Sequence, residues 1–471
     1  METFFSAMQT FGRRQMIRIY REEFSVKNDK NCLKDFIRYS SLNVLGMLGL
    51  SCYILADTFF ISKALGANGL TALNLAIPVY SFIHGSGLMI GIGGGIKYAI
   101  SKSQENKKAA NQAFTTAFLL TALVSSFFFL TGIAGSGRLT GILGADAAVF
   151  DMTKTYLRVI LLFAPMFMMN NLLLAFVRND GAPQRSMAAM LIGSFSNIVL
   201  DYVFMFPLNM GILGAVLATG LAPVISMLVL SPYFFKGQNQ FALKKCPVTR
   251  HLCLMILSGG LPSLITEVSS GIVIILFNLL ILGLEGNVGV AAYGVIANLS
   301  LVVISIYTGI AQGIQPLLSQ NYGAGNTSNM RSVLRYALIT MAAISISVYA
   351  FVYLGAEPIT AVFNSEQNPL LQEIAVPGLR IYFTGCLFAG FNIILCAYFT
   401  SMEFALPAHI ISFLRGFIVL IPMAFLLSAI GKIVGIWCTF PATELLVAVI
   451  GGICFFLFAK KQKNRGADSS S

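Results

Sequence analysis

Charge, histidine and tryptophan are scarce in this chain. Charged residues fill 11% of its 471 positions against 56% for hydrophobic ones, and there are three His and one Trp. A soluble globular domain carries about a quarter charged residues, so this composition excludes that class and implies a polytopic membrane protein. His84, His251 and His409 stand far apart, and neither an HExxH nor a paired-Cys spacing accompanies them. Nothing here supports a metal site of ordinary composition, and each His reads as a lone polar residue at a helix end or interhelical contact. The eight Cys lie mostly in apolar segments, where a thiol is a small hydrophobe; they form no disulfide framework and define no redox compartment. GIGGG at 91–95 lacks a preceding strand and a GK[ST] ending, which removes a phosphate loop and leaves close helix packing as its use. Residues 1–33 have no apolar core followed by a small-residue cleavage site, so they are not a secretory signal. They read as a cytoplasmic extension, with a surface-lying amphipathic helix as the expectation.

What fills the chain is hydrocarbon in spans. Apolar windows long enough to cross about 30 Å of bilayer core recur at 36–62, 70–100, 113–134, 155–178, 186–206, 211–234, 251–283, 288–318, 331–355, 374–400, 404–427 and 433–458. Twelve helices put both termini on one side. The net charge of +12 would suit nucleic acid if it were spread over a polar surface, but 24 of the 31 Lys and Arg sit in the termini and even-numbered loops. That asymmetry places both termini in the cytoplasm and makes the basic residues topology signals.

The longest basic connection, Lys236 to Arg250, divides the set six and six. An offset of 220 superposes Gly69, Ala72, Ile90, Gly93, Ala117 and Ala122 on Gly289, Ala292, Ile310, Gly313, Ala337 and Ala342. Offsets of 221 and 222 bring Ile212 and Gly214 onto Ile433 and Gly435, and Asn170 and Ala175 onto Asn392 and Ala397. Since the offset spans six helices, the halves share one orientation, a parallel repeat of the kind transporters use, with sites near the midplane. The expected fold is all-α, in two six-helix bundles. Its divisions are 1–33 extension, 34–235 N-terminal bundle, 236–250 cytoplasmic linker, 251–458 C-terminal bundle and 459–471 cytoplasmic tail.

Three acids fall deep in these windows: Asp57, Asp201 and Glu267; the remaining acids are assigned to tails, loops and helix ends. A carboxylate at the centre of a spanning helix costs about 2.5–3.5 kcal/mol on insertion scales, and such residues usually face a cavity or a partner. Tyr53 lies one turn before Asp57, and Asn197 one turn before Asp201, so each acid has a polar neighbour on its own face. The second half places Pro422 and Ile418 where the first has Asp201 and Asn197, so the ion chemistry is expected in the N-terminal bundle alone. Desolvated carboxylates hold protons more tightly, and two together titrate as a pair. The same oxygens suit a hard cation, so a candidate Na+ site at Asp57, Asn197 and Asp201 stands beside the proton. Met166, Met168 and Met169 with Phe163 and Phe167 form an expected wall for flat or cationic ligands. Glu267, Asn278 and Arg415 are further cavity candidates.

These stretches resemble the multidrug and toxic compound extrusion (MATE) family, especially its bacterial NorM-, DinF- and MepA-like branch. The matching segments are LADTFFISKALGANGLTALNLAIP (55–78), RNDGAPQRSM (178–187), SNIVLDYVF (196–204), AAYGVIANLS (291–300) and GIQPLLSQNYGAGN (313–326), and the resemblance covers roughly residues 34 to 458. It implies two six-helix bundles that open alternately and export cationic and other amphipathic compounds against Na+ or H+. It also implies ion-coupling roles for Asp57, Asn197 and Asp201, with Thr219 in helix 6 and Asn170 or Asn171 in helix 4. Two departures stand out. Residues 36–62 contain no proline where many relatives have one, and Pro262 and Glu267 are closer than in relatives with a coupling glutamate.

The expectation is therefore an H+- or Na+-driven exporter rather than an enzyme, in a bacterial inner membrane. Beyond the coupling ion it needs no cofactor; its partners are small-molecule drugs or amphipathic cations and membrane lipid, with no nucleic acid, and a monomer is assumed. The rivals are a lipid-linked oligosaccharide flippase, which would want more cavity Arg and Lys than Arg415, and a membrane-embedded enzyme, which would want a His-Asp pair or a metal motif.

Overall fold

The computed structural model describes residues 31–364 and 367–457; the expected surface helix of the N-terminal extension and the tail at 459–471 lie outside the described residues. Eight continuous helical runs are long and apolar enough to cross a bilayer, and Phe150–Leu162 with Ala164–Asn179, bent by 46°, makes a ninth. Three runs are broken inside, at Gly66, Gly286 and Lys432. Among the described residues this gives twelve spans: α1 (31–65), α2 (67–103), α3 (Lys107–Ala134), α4 (the bent pair), α5 (Pro183–Met205), α6 (Gly211–Phe235), α7 (250–285), α8 (287–323), α9 (Thr327–Phe363), α10 (Pro369–Ser401), α11 (405–431) and α12 (433–457). The bend in α4 coincides with Pro165 in the first turn of its second segment, a position where proline ends one helix and opens the next.

The turns repeat as the apolar windows do. Of twelve left-handed residues among those described, ten form pairs across the halves: Gly66 with Gly286, Glu105 with Gly325, Gly144 with Gln367, Gly181 with Glu403, and Gly211 with Lys432. Their separations run from 220 to 223 residues, so the duplication is recorded in backbone geometry even where the side chain has diverged. At the first pair the chain turns back so tightly that a Cβ on Gly69 would overlap Leu65, and one on Gly289 would crowd Glu285 in the same way.

Each half has its own apolar core, from Ile61 to Phe241 in one and from Phe277 to Val447 in the other, with one exchange at the seam. Phe36 and Tyr39 of α1 are buried in the second core, and Ile256 of α7 is buried in the first. The exchange brings backbones together at the end that carries the basic loops. A Cβ on Gly93 of α2 would overlap the Ile256 carbonyl, and one on Gly260 of α7 would overlap that of Met89. The repeat supplies the mirror contact, in which a Cβ on Gly313 of α8 would sit 2.7 Å from Ser40 Cα and one on Gly309 2.6 Å from Val44 Cα. Glycine is required at these four positions because a bilayer gives no hydrophobic drive between helices, and close backbone contact supplies the attraction instead.

The connection at 236–250 is fastened to the first bundle. Phe241 is buried among Tyr98, Phe114, Phe176 and Phe234, with ring centroids 4.6–5.9 Å away. Asp180 Oδ2 accepts the Gln240 N–H at 2.9 Å and the Tyr233 hydroxyl at 2.6 Å, while Oδ1 accepts Tyr98 at 2.6 Å and Lys102 Nζ at 2.7 Å. Removing a fully packed phenyl ring costs roughly 3–5 kcal/mol. Phe241→Ala is therefore expected to lower the thermal unfolding midpoint of the detergent-solubilised protein clearly, whereas Phe235→Ala, at an 89% exposed ring, should leave it in place.

Candidate functional site

Asp57 and Asp201 are both buried, the latter completely, and the Asp57 charge acts on Asp201. The two acids that the sequence places in different helices are thus brought together inside the N-terminal bundle. With its carboxamide nitrogen toward Asp201, Asn197 donates to Oδ2 at 3.1 Å and accepts from the Thr219 backbone N–H at 3.2 Å. The Thr219 hydroxyl donates to the Ala215 carbonyl at 3.1 Å, and Tyr156 lies within the field of both acids. One oxygen on each carboxylate, Asp57 Oδ1 and Asp201 Oδ1, is buried without a hydrogen-bond partner. A buried carboxylate oxygen without a donor is expensive, and two such oxygens in one bundle call for a cation, either a proton or a metal ion with oxygen ligands.

A cavity of about 80 Å³ adjoins this pair and is lined by Tyr53, Tyr80, His84, Phe167, Asn170, Asn171, Arg178 and Ser194 among others. Tyr53 connects the two environments: its hydroxyl bonds that of Tyr80 at 3.0 Å, and Asp57 acts on it. Ser194 lines the cavity one turn before Asn197, so the stripe Ser194, Asn197, Asp201 runs from the opening to the acid. Asn171 reaches His84 Nδ1 at 3.2 Å, and the Asn170 carboxamide oxygen is buried without a partner. The cavity therefore uses both asparagines.

Sequence reasoning missed several members. Tyr80 and Tyr156 carry no local signal, since a tyrosine in a span reads like any other aromatic. Arg178 was quoted within a motif but given no role. It is 3% exposed and donates to Asn43 of α1 and Gln312 of α8, both at 3.0 Å, while its Nε has no partner. Together with Lys97 and Glu403, 2.6 Å apart across the seam, it ties the bundles at the basic-loop end.

Three expectations need correction. Glu444 of α12 is a fourth deep acid, 1% exposed, so the second bundle is not free of buried charge. Its Oε1 lies 2.5 Å from Arg415 Nε, which supplies the missing partner for that cation, and its Oε2 accepts Asn392 Nδ2 at 2.7 Å. It lies in the middle of the 433–458 window and was legible there as a charge in a span. Met166, Met168 and Met169 do not form a cavity wall: Met168 is fully buried, Met169 packs on the core and Met166 is 39% exposed. The bend before Ala164 rotates that segment so that Phe167, Asn170 and Asn171 line the cavity instead. Asn278 is half-buried in α7 and lines none of the cavities described, whereas Glu267 lines one between the bundles.

Residues 44–203 and 262–426 match the model of the MatE family, one copy per half. Over 428 residues the chain is 25% identical to the multidrug export protein MepA of Staphylococcus aureus, covering 90% of this chain and 93% of that one. It is 24% identical to the MepA of Staphylococcus saprophyticus at the same coverage. Among solved structures, the outward-facing conformation of a multidrug resistance MATE family transporter of the MOP superfamily superposes with a TM-score of 0.86 at 24% identity, covering 92% of this chain and 96% of that one. A MOP superfamily transporter from Pyrococcus furiosus follows at 0.83 and 24%, covering 91% and 95%.

Proposed function

The chain belongs to the MatE family, and from that premise we propose that it is a secondary active exporter of small amphipathic compounds, coupled to inward movement of H+ or Na+. It is a multi-pass membrane protein and not an enzyme. The observation that carries the coupling is the buried Asp57–Asp201 pair, with one unpartnered oxygen on each acid and a polar stripe leading to it from a cavity. Cation binding there satisfies both oxygens, and a cation shifts the conformational balance only as far as it binds one state better than the other. Asn197, Thr219 and Tyr156 orient the pair; Tyr53, Asn170 and Asn171 connect it to the cavity.

With the basic loops in the cytoplasm of a bacterial cell, the glycine seam and the Lys97–Glu403 pair close the inner side. The bundles at 34–235 and 251–458 then rock about that seam, and 236–250 travels with the first of them. The MepA relatives are named multidrug export proteins, which supports drug-like cargo.

The discriminating measurement is efflux of a cationic dye from proteoliposomes with Na+ and pH gradients imposed one at a time. Export driven by one gradient and not the other identifies the ion; equal rates with and without any gradient would remove the antiport reading.

A further inference from the structure

Arg178 of α4 is a buried cation with no carboxylate in contact. It forms no ion pair among the described residues, and its Nη1 donates to two neutral acceptors, Asn43 Oδ1 and Gln312 Oε1. Nε is buried without a partner, and Nη2 makes no hydrogen bond among the described residues. The acids close to it in the chain or at the seam are engaged elsewhere. Asp180 accepts Tyr98, Lys102, Tyr233 and the Gln240 N–H, and Glu403 is held by Lys97. A guanidinium stays protonated in proteins, so burial cannot neutralise it, and a buried charge left unpaired is strongly destabilising. This one calls for a counter-ion.

The structure leaves room for one beside it. Arg178 lines the cavity of about 80 Å³ together with Asn170 and Ser226, and no aspartate or glutamate lines it among the described residues. Ser226 of α6 is 2% exposed; its hydroxyl oxygen is buried without a partner, as is the carboxamide oxygen of Asn170. A hydroxyl can rotate, and a carboxamide can turn over, to present a proton to an anion. Unsatisfied polar groups from α4 and α6 thus gather around one cavity that already carries a positive charge. The acid pair lies farther along. Thr219, whose N–H bonds Asn197, precedes Ser226 by seven residues, about 10 Å of helix rise.

Charge and volume define the ligand. One uncompensated positive charge matches a monovalent anion, whereas a divalent one would leave a net negative charge in a low-dielectric site. The cavity volume of about 80 Å³ is several times the roughly 10–15 Å³ that one water requires, enough for a small ion with a few waters. We propose that Arg178, Ser226 and Asn170 form a binding site for a small inorganic monovalent anion of chloride's size and charge. The assignment goes beyond the exporter reading and holds with or without it.

The test follows the chloride NMR linewidth over the purified full chain in detergent, with sodium held constant and gluconate, a bulky organic anion, making up the balance. Exchange onto a protein site broadens the chloride line, and added bromide should remove that excess in a saturable way. Arg178→Gln should abolish the bromide-sensitive broadening. Ser226→Ala should weaken chloride about tenfold, the scale of a hydrogen bond to a charged group. In gluconate alone its unfolding midpoint should be at least as high as that of the parent, since the deleted hydroxyl has no partner there. The parent's midpoint should rise as chloride replaces gluconate, by ligand linkage, and the rise should be smaller in Ser226→Ala. Absence of bromide-sensitive broadening in the parent overturns the proposal. Broadening that keeps its parental affinity in Ser226→Ala overturns it as well, and that variant decides the matter even where Arg178→Gln fails to fold.

Discussion

Asp57→Asn and Asp201→Asn are each expected to lower gradient-driven dye efflux by about fivefold to 150-fold, the range spanned by coupling free energies of 1–3 kcal/mol. Dye binding in the absence of a gradient should change little, because neither acid lines the inter-bundle cavity that would hold dye. The asparagine is nearly isosteric and removes the charge that a cation would answer, so the site stays filled while the differential affinity disappears. The acids also act as one unit, since the Asp57 charge bears on Asp201. The double variant should therefore be no worse than the more damaging single one, as expected for residues sharing one function. Full gradient-driven transport in both single variants would end the proposal, and additive losses would show that the acids work separately.

The second large effect concerns the seam. Gly93→Ala and Gly260→Ala each place a methyl group on a backbone carbonyl of the opposing helix, Ile256 in one case and Met89 in the other. A carbonyl cannot rotate aside as a flexible side chain does, and overpacking of this sort costs about 1–3 kcal/mol. That is roughly a five- to 150-fold shift in a two-state balance, directed away from the conformation closed at the basic-loop end. Spin labels at Lys108→Cys and Ser328→Cys, exposed positions at matching places in the two halves, should report a longer distance population in the glycine variants than in the labelled parent. Gly452→Ala, where an added Cβ meets nothing within 4 Å, serves as the control. Identical distance distributions in parent and glycine variants would show that the seam does not gate.

Much of this architecture was legible from residue pattern because the bilayer leaves so little choice. A chain that must satisfy its backbone within itself can only be helical where it crosses hydrocarbon, and the length of each apolar window reports a span. The three breaks at Gly66, Gly286 and Lys432 fall within a few residues of the expected window edges. The repeat was visible as scattered identities, and the paired left-handed turns show why they were sparse. What the duplication preserves is φ, and Lys432, Glu403 and Glu105 hold it where the other half uses glycine.

The candidate site divides along similar lines. Asp57, Asn197 and Asp201 were conspicuous because a charge or amide in hydrocarbon is costly enough to need a reason. Tyr156 was not, since a phenol costs little in a span and its use depends on which helix faces it. Glu444 and Arg415 show a subtler failure. Each was readable as a charge in a span, but their pairing across α11 and α12 depends on the turn at Lys432 and the π-helical turn at Arg415.

Sequence alone determined that this is a twelve-span, duplicated, all-helical membrane protein with an acid pair in its first half, because burial energetics and helix length act locally along the chain. The tertiary structure decided what those residues meet. It set Asp57 beside Asp201, tied Arg415 to Glu444, turned the methionines away from the cavity, and brought Gly93 and Gly260 against opposing carbonyls. Those outcomes depend on bend angles and the crossing of α2 with α7, and no local pattern encodes contacts between residues so far apart in the chain.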